Sequence, residues 1–195
     1  RADNFGSGRG AHFARLPVSA DLAAAARFDV VVLVVPGQHH DVFMQMLLPH
    51  LRSGQLLLIN PGGVGGALVW REAMRAGSME GVLVAQPSDL LYASTRRQGE
   101  ASVTVAGKKA RATLGILPTR DSGRVMSMLG DVWPEYVPAN VLNAGLGGPG
   151  MLLHPLPMLM NAVRIDREGA FVYDSYDITR SVARVVEALD AERLA

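Results

Sequence analysis

The sequence contains no cysteine, and this absence excludes two classes of site. None of the 195 residues is cysteine, so disulfide bonds and thiolate metal ligands are excluded. Lysine and arginine number 19 against 18 aspartate and glutamate residues, so no strong field draws the chain to nucleic acid or to an anionic membrane surface. No apolar run reaches the roughly 20 residues of a membrane span. We therefore expect a cytoplasmic protein that binds neither nucleic acid nor membrane.

Aromatic residues are also scarce, at 6%, although 49% of the chain is hydrophobic. That apolar content is enough for one full domain or two small ones. The first residue is not methionine, and the final "ALDAERLA" is a helical pattern without a C-cap signal. We expect the chain to be a piece of a longer protein and, taken alone, to be inactive.

Strand-like apolar runs alternate with helical patterns over the first 90 residues. "DVVVLVVP" is continuous and β-branched, which predicts a buried, central parallel strand. The strand–helix–strand order predicts right-handed parallel crossovers and an α/β sheet. The predicted strands are 29–36, 54–63 and 81–89, and the predicted helices are 20–28, 40–51 and 66–77.

The pattern changes after residue 100. Residues 101–118 alternate around a turn at Gly107 and Lys108, which predicts a β-hairpin. A short helix at 121–134 and a strand at 135–139 follow. From Asn140 onward only helical patterns occur. We therefore place a sheet-based domain at 1–138 and the beginning of a helical domain at 139–195.

Two loops that follow predicted strands are candidates for ligand contact, because ligands in open α/β sheets lie at the carboxyl ends of strands. "VVPGQHH" follows the first strand, and its Val35, Pro36 and Gly37 indicate either cofactor contact or a plain turn. "NPGGVGGA" follows the second, and its glycines favour contact with a flat ligand over a demanding turn. The candidate residues there are Pro61, Gly62 and Gly63.

Other motifs are weaker. "FGSGRGA" at 5–11 has dinucleotide-type glycine spacing, but no strand precedes it, so a flexible loop is the better interpretation. His39, His40 and His50 are interpreted as solvated or capping residues, because no carboxylate pair completes a metal site. We predict no metal.

His154 is the candidate for proton transfer. It is the single titratable residue of "LLHPLPMLMNA", and it could be either an ordinary interior histidine or a catalytic one. It follows the glycine-rich "GLGGPG" at the predicted domain junction, where ligand sites are common. Imidazole exchanges protons near neutral pH. Asn161 lies seven residues later and would share its helix face, which suggests substrate binding.

These stretches together resemble the opine dehydrogenase family, which includes octopine and nopaline dehydrogenases. The resemblance is carried by "LLLINPGGVGGAL", "VAQPSDLLYASTR", "VLNAGLGGPGMLLHPLPMLMNA" and "FVYDSYDITRSVARVVEALDAER". It implies the later half of a doubly wound Rossmann-like sheet, followed by the start of an all-α domain. The family's catalytic Asp has no match in this chain, and Asp174 and Asp177 are not assigned to that role.

The resemblance also implies an activity. An amino acid and a 2-oxo acid such as pyruvate would condense, and NADH or NADPH would reduce the imine. His154 matches the family's catalytic His before Pro, and the loops at 35–37 and 61–63 match its cofactor contacts. A homodimer is compatible with this expectation. Two alternatives stay open. The first is a reductase of the glycerol-3-phosphate or ketopantoate type, and the lack of lysine after Asn140 counts against it. The second is a non-catalytic nucleotide-binding module.

Overall fold

The structure is a computed structural model that describes residues 16–96, 98–99, 101–168 and 178–194. The glycine-rich stretch at 5–11 and the segment with Asp174 and Asp177 lie outside the described residues. Within the described ranges, no helix has the length and apolar character needed to cross a membrane.

A five-stranded sheet forms the centre of the molecule, in the order β1–β2–β3–β6–β7. The first three strands are parallel, as predicted, whereas β6 is antiparallel to β3 and β7 is parallel to β6. A separate antiparallel ribbon pairs β4 with β5. The strands are β1 Val30–Leu33, β2 Leu56–Ile59, β3 Leu83–Pro87, β4 Tyr92–Thr95, β5 Thr104–Lys108, β6 Ala112–Leu117 and β7 Tyr136–Ala139.

Helices connect the strands, and the described elements after β7 are all helical. They are α1 His40–Leu47, α2 Gly66–Ala76, α3 Ser122–Leu129, α4 Val141–Gly147, α5 Gly150–Leu153, α6 Pro155–Met160, α7 Ala162–Glu168 and α8 Arg180–Leu194. Short 3₁₀ segments occupy Leu22–Arg27, Gly37–His39, Leu48–His50 and Thr119–Asp121. This order confirms a Rossmann-like α/β layer followed by an all-helical stretch.

Side chains of the central strands alternate between two cores, one on each face of the sheet. Leu57 and Ile59 of β2 face the side covered by α1, α2 and the first residue of α4. Leu56 and Leu58 face the opposite side, which is covered by α3. Both faces of β2 are buried, which explains the continuous apolar run in its sequence.

The predicted hairpin at 101–118 is wrong. β5 pairs with β4 in the ribbon, and its five residues are all exposed. β6 instead enters the main sheet between β3 and β7, where Leu114 and Ile116 are fully buried. The alternating pattern of residues 101–118 was compatible with a β5–β6 hairpin and also with separate sheets. Burial of the β6 side chains favours the place of β6 in the main sheet.

The prediction of a central first strand is also wrong. β1 lies at the edge of the described sheet, and Val32 is 38% exposed. The segment predicted as a helix at 20–28 forms a 3₁₀ helix with no buried residue, capped by Asp21, which accepts a hydrogen bond from the Ala23 N–H at 2.9 Å.

Candidate functional site

A cleft of about 280 Å³ opens where β2 and β3 end and α4 and α5 face them. It brings together sequence-predicted residues that are far apart in the chain, Pro61, Gly62 and Gly63 on one wall and His154 on another. The other lining residues are Val64, Pro87, Ser88, Asp89, Leu90, Gly145, Gly148, Gly150 and Met151. The carboxyl ends of parallel strands are the expected place for a ligand in such a sheet.

The loop at 60–67, which we call the glycine loop, runs from the end of β2 into α2. Gly63 and Gly65 have positive φ angles of 58° and 82°, which side-chain-bearing residues rarely adopt. A Cβ atom built on Gly63 would meet nothing within 4 Å. The loop therefore needs glycine at Gly63 and Gly65 for its backbone angles and leaves open space at Gly63, whereas the favoured contact with a flat ligand stays a prediction.

Gln86 of β3 holds the glycine loop by hydrogen bonds, and the sequence analysis did not identify this residue. Its side chain is 1% exposed. Its Nε2 atom donates to the Gly63 carbonyl oxygen at 2.6 Å, and its Oε1 atom accepts from the Ala67 N–H at 2.8 Å. The available signal was one amide residue inside the apolar strand "VLVAQP".

The opposite wall comes from the turn between α4 and α5. Gly148 lies so close to the end of β3 that an added Cβ would be 2.1 Å from the Ser88 carbonyl oxygen. His154 lies between α5 and α6, and Pro155 occupies the first turn of α6, a position that proline favours. The His154 N–H donates to the Gly150 carbonyl oxygen at 3.2 Å. His154 is exposed among the described residues, and its part in catalysis stays a prediction.

Asn161 does not share a helix face with His154. The predicted continuous helix is interrupted at both residues, so His154 precedes α6 and Asn161 follows it. The Asn161 Nδ2 atom donates to the Pro157 carbonyl oxygen at 2.8 Å. Asn161 is not among the residues that line the cleft, and its role in substrate binding stays a prediction.

Val35, Pro36 and Gly37 form the connection that follows β1, as predicted. Val35 packs against the core, whereas Pro36 and Gly37 are exposed. The Pro36 carbonyl oxygen accepts from the His39 N–H at 2.9 Å. None of the three lines the cleft, and their contact with a cofactor stays a prediction.

His40 was predicted to be solvated or capping, and the structure excludes the solvated interpretation. It begins α1 and is only 7% exposed, with its ring edge-on to Trp70 at a centroid distance of 6.4 Å. Its Nε2 atom has no hydrogen-bond partner among the described residues. A ring at this position packs the start of α1 against α2. Over the described ranges, no three His, Asp or Glu side chains gather as metal ligands.

The charges beside the cleft are paired. Asp89, which lines it, forms an ion pair with Lys109 and accepts from the Leu90 N–H at 2.7 Å. Lys108 forms an ion pair with Glu135, and this contact lowers the pKa of the Glu135 carboxyl and raises the pKa of the Lys108 amine. Burial raises the pKa of Tyr136 to about 12. Among the described residues that line the cleft, the carboxylate of Asp89 is therefore neutralised by Lys109.

Comparison with known proteins gives a consistent family. Residues 137–195 match the model of the NAD/NADP octopine/nopaline dehydrogenase alpha-helical domain. An opine dehydrogenase of Arthrobacter sp. (strain 1C) is 34% identical over 180 residues, which cover 91% of this chain and 50% of that protein. The chain thus spans about half the length of this curated relative.

Solved structures show the same fold. Octopine dehydrogenase with NADH and L-arginine has a TM-score of 0.59 at 18% identity, over 90% of this chain and 45% of that one. Yersinopine dehydrogenase with bound NADP⁺ has a TM-score of 0.60 at 21% identity, over 71% of this chain and 35% of that one. A Rossmann-like layer, a helical segment that matches the family's model and this curated relative make the chain similar to the opine dehydrogenase family over the half of the relative that it spans.

Proposed function

We propose that the protein is an NADH- or NADPH-dependent oxidoreductase that condenses an amino acid with a 2-oxo acid such as pyruvate, giving an N-carboxyalkyl amino acid. The observation that carries this proposal is the cleft that is lined both by the glycine loop and by His154. Similarity to an opine dehydrogenase supports the reaction class, and the ligands named for the related structures support both cofactors.

The cleft fits one end of a dinucleotide rather than the whole of it. Its volume of about 280 Å³ is slightly below the range of about 300–1,000 Å³ for ligand pockets. The open space at Gly63 suits a flat ring that approaches the backbone. We assign the nicotinamide end to Pro61, Gly62 and Gly63, and we assign contacts with the same half of the cofactor to the connection at 35–37.

His154 would move the proton in this reaction. When bound, the reduced nicotinamide supplies the hydride. In the direction of condensation, His154 would pass a proton to the carbonyl oxygen as it leaves as water, and to the bridging nitrogen as the imine accepts the hydride; in the reverse direction it would take the same protons back. The break between α5 and α6, with Pro155 in the first turn of α6, fixes the backbone that aims the imidazole at the cleft.

The first test is cofactor oxidation by the full-length protein. NADH and NADPH would each be mixed with pyruvate and a panel of amino acids, and the loss of reduced nicotinamide would be followed by absorbance. We expect oxidation only when both substrates are present. Oxidation with a 2-oxo acid alone would indicate a simple reductase, and absence of both oxidation and cofactor binding would favour the non-catalytic module.

The role of His154 has its own test. We expect His154→Ala to lower kcat by about 10²- to 10⁴-fold, the range for loss of a general acid–base group, while cofactor affinity changes little. His50→Gln is the matched control, because His50 precedes β2 at the opposite end of the sheet. Unchanged turnover in His154→Ala would remove His154 from the mechanism.

A cytoplasmic location and a homodimer are part of the same proposal.

A further inference from the structure

The side chain of Gln86 fills the space behind the glycine loop. It extends from β3, and glycines from two other segments surround its amide group. A Cβ atom built on Gly62 would lie 2.3 Å from the Gln86 Cγ atom, and one on Gly145 of α4 would lie 3.4 Å from its Nε2 atom. Gly62 has no positive φ angle, so its backbone conformation alone does not demand glycine. Glycine is needed at this position because the Gln86 side chain occupies the space that a Cβ atom would fill.

Gln86 also performs a task that the loop cannot perform for itself. The residue before α2 is Gly65, which has no side chain to cap the helix. The first N–H groups of a helix lack partners inside the helix, and a buried N–H without a partner is costly. Gln86 accepts from the Ala67 N–H and donates to the Gly63 carbonyl oxygen. One side chain from a neighbouring strand therefore holds both the loop and the start of α2.

We infer that Gln86 is a positioning residue for the proposed cofactor site: its amide fixes the glycine loop, and Gly62 is glycine to admit it. The inference rests on the proposed function for the identity of the ligand, although the loop geometry can be tested without one. Gln86 is not among the residues that line the cleft, so it acts through Gly62 and Gly63, which do. A Cβ atom built on Gly145 would lie close to the same amide, which places the amide beside α4, on the wall that leads towards His154.

The main variant is Gln86→Met, which keeps the length of the side chain and removes both hydrogen bonds. Two readouts apply to the full-length protein: the Kd of NADH by fluorescence titration, and hydrogen exchange of a peptide covering 62–70. We expect the Kd to rise about tenfold, as for loss of one buried hydrogen bond, and exchange across 62–70 to increase. Gln86→Glu keeps the acceptor for Ala67 and should protect α2 while releasing Gly63.

Gln55 offers a matched control. It is also fully buried, and its Nε2 atom donates to the carbonyl oxygens of Ala25 and Phe28 at 2.9 and 2.6 Å. It lies just before β2, at the end of the sheet away from the cleft. Gln55→Met should lower the melting temperature while leaving the NADH Kd unchanged. An equal loss of NADH affinity in both variants would overturn the inference, because general destabilisation would then explain the result.

A pair of small substitutions tests the steric half of the inference. Gly62→Ala should raise the NADH Kd and hydrogen exchange as Gln86→Met does, because the methyl group displaces the amide. In a Gln86→Ala background the space is empty, so adding Gly62→Ala should change neither readout further. Additive effects would overturn the stated reason for Gly62. Should the wild-type protein bind no dinucleotide, the proposed function fails, while hydrogen exchange in the same variants still decides the role of Gln86.

Discussion

Gly147 and Gly148 are neighbours in the chain, but a methyl group would meet different surroundings at each. At Gly147 nothing lies within 4 Å of an added Cβ. At Gly148 the nearest atom is a main-chain carbonyl oxygen of Ser88, a residue whose N–H donates to the Thr113 carbonyl oxygen at 2.8 Å. Because the sheet holds this backbone, it cannot rotate away as a side chain can.

We therefore expect Gly148→Ala to lower the free energy of unfolding by about 1–3 kcal/mol, the usual cost of overpacking. Gly147→Ala should leave it nearly unchanged, because the methyl group meets no atom. Urea denaturation followed by circular dichroism measures both. Equal losses in the two variants would show that Gly148 tolerates a side chain and that the turn between α4 and α5 is not tightly packed against β3.

Among single residues, the sequence revealed those that are marked by features next to them in the chain. His154, Pro61, Gly62 and Gly63 were picked out by their positions after strands or glycines, and the structure brings them to one cleft. Gln86 was missed because the groups it bonds lie about 20 residues earlier in the chain. His40 was misjudged for the same reason: its burial depends on Trp70, which belongs to another helix.

Among the elements, the β4–β5 ribbon is joined to the main sheet by side chains. Lys108 of β5 forms an ion pair with Glu135, the residue before β7, and its amine lies 5.5 Å from the centre of the Tyr92 ring. The hydrogen bond between Lys108 and Glu135 lowers the pKa of the carboxyl from its usual 4.5 and raises that of the amine from 10.5. Both charged forms are therefore favoured in the folded state.

This ion pair predicts a pH-dependent stability. A lowered carboxyl pKa contributes stability above pH 4.5, and that stability is lost as the pH falls through the lowered value. The raised pKa of the Lys108 amine contributes stability below pH 10.5, and this stability is lost as the pH rises through the raised value. We expect Glu135→Gln to cost at most about 1 kcal/mol near pH 7, because water screens a partly exposed pair.

Melting temperatures of the wild-type protein and of Glu135→Gln, measured across pH, test this prediction. The difference between them should be present near pH 7 and should shrink as the pH falls well below 4.5. Glu72→Gln is the comparison for an exposed pair within one helix: Glu72 pairs with Arg75 on the surface of α2, and this pair also lowers the pKa of its carboxyl, so its effect should follow the same pH course at a smaller size. A difference that stays constant across pH would mean that Glu135 acts through packing rather than charge.

The order of elements could be predicted from the sequence, whereas strand partners could not. The three parallel strands and the helices between them follow from apolar runs and their periodicity. An apolar strand does not reveal its neighbours, so β1 was expected in the centre and lies at the described edge. Likewise, the residues of β5 and β6 were expected to pair with each other, and they belong to different sheets.

For the molecule as a whole, the two cores share the same strands. Leu57 belongs to the core under α1 and α2, and Leu58, its neighbour in β2, belongs to the core under α3. Both side chains are almost fully buried. Since one backbone carries both, neither core can come apart without disturbing the strand that supports the other.

We therefore expect Leu57→Ala and Leu58→Ala each to lower the free energy of unfolding by about 2–5 kcal/mol, and to do so within one shared transition. Urea denaturation, followed by the helical circular dichroism signal, gives the number of transitions. Val185→Ala on α8 is the surface control, because its side chain is partly exposed. Two transitions, each shifted by only one variant, would contradict a shared core.

The placement of the two tryptophans has an optical consequence. Trp70 lies fully buried on α2, directly after the glycine loop, whereas Trp133 packs against the core on the other face of the sheet. Tryptophan emits in the wavelength range in which reduced nicotinamide absorbs. A Trp133→Phe variant would leave Trp70 as the only tryptophan of this chain, so that NADH bound at the glycine loop would quench its fluorescence without any attached dye.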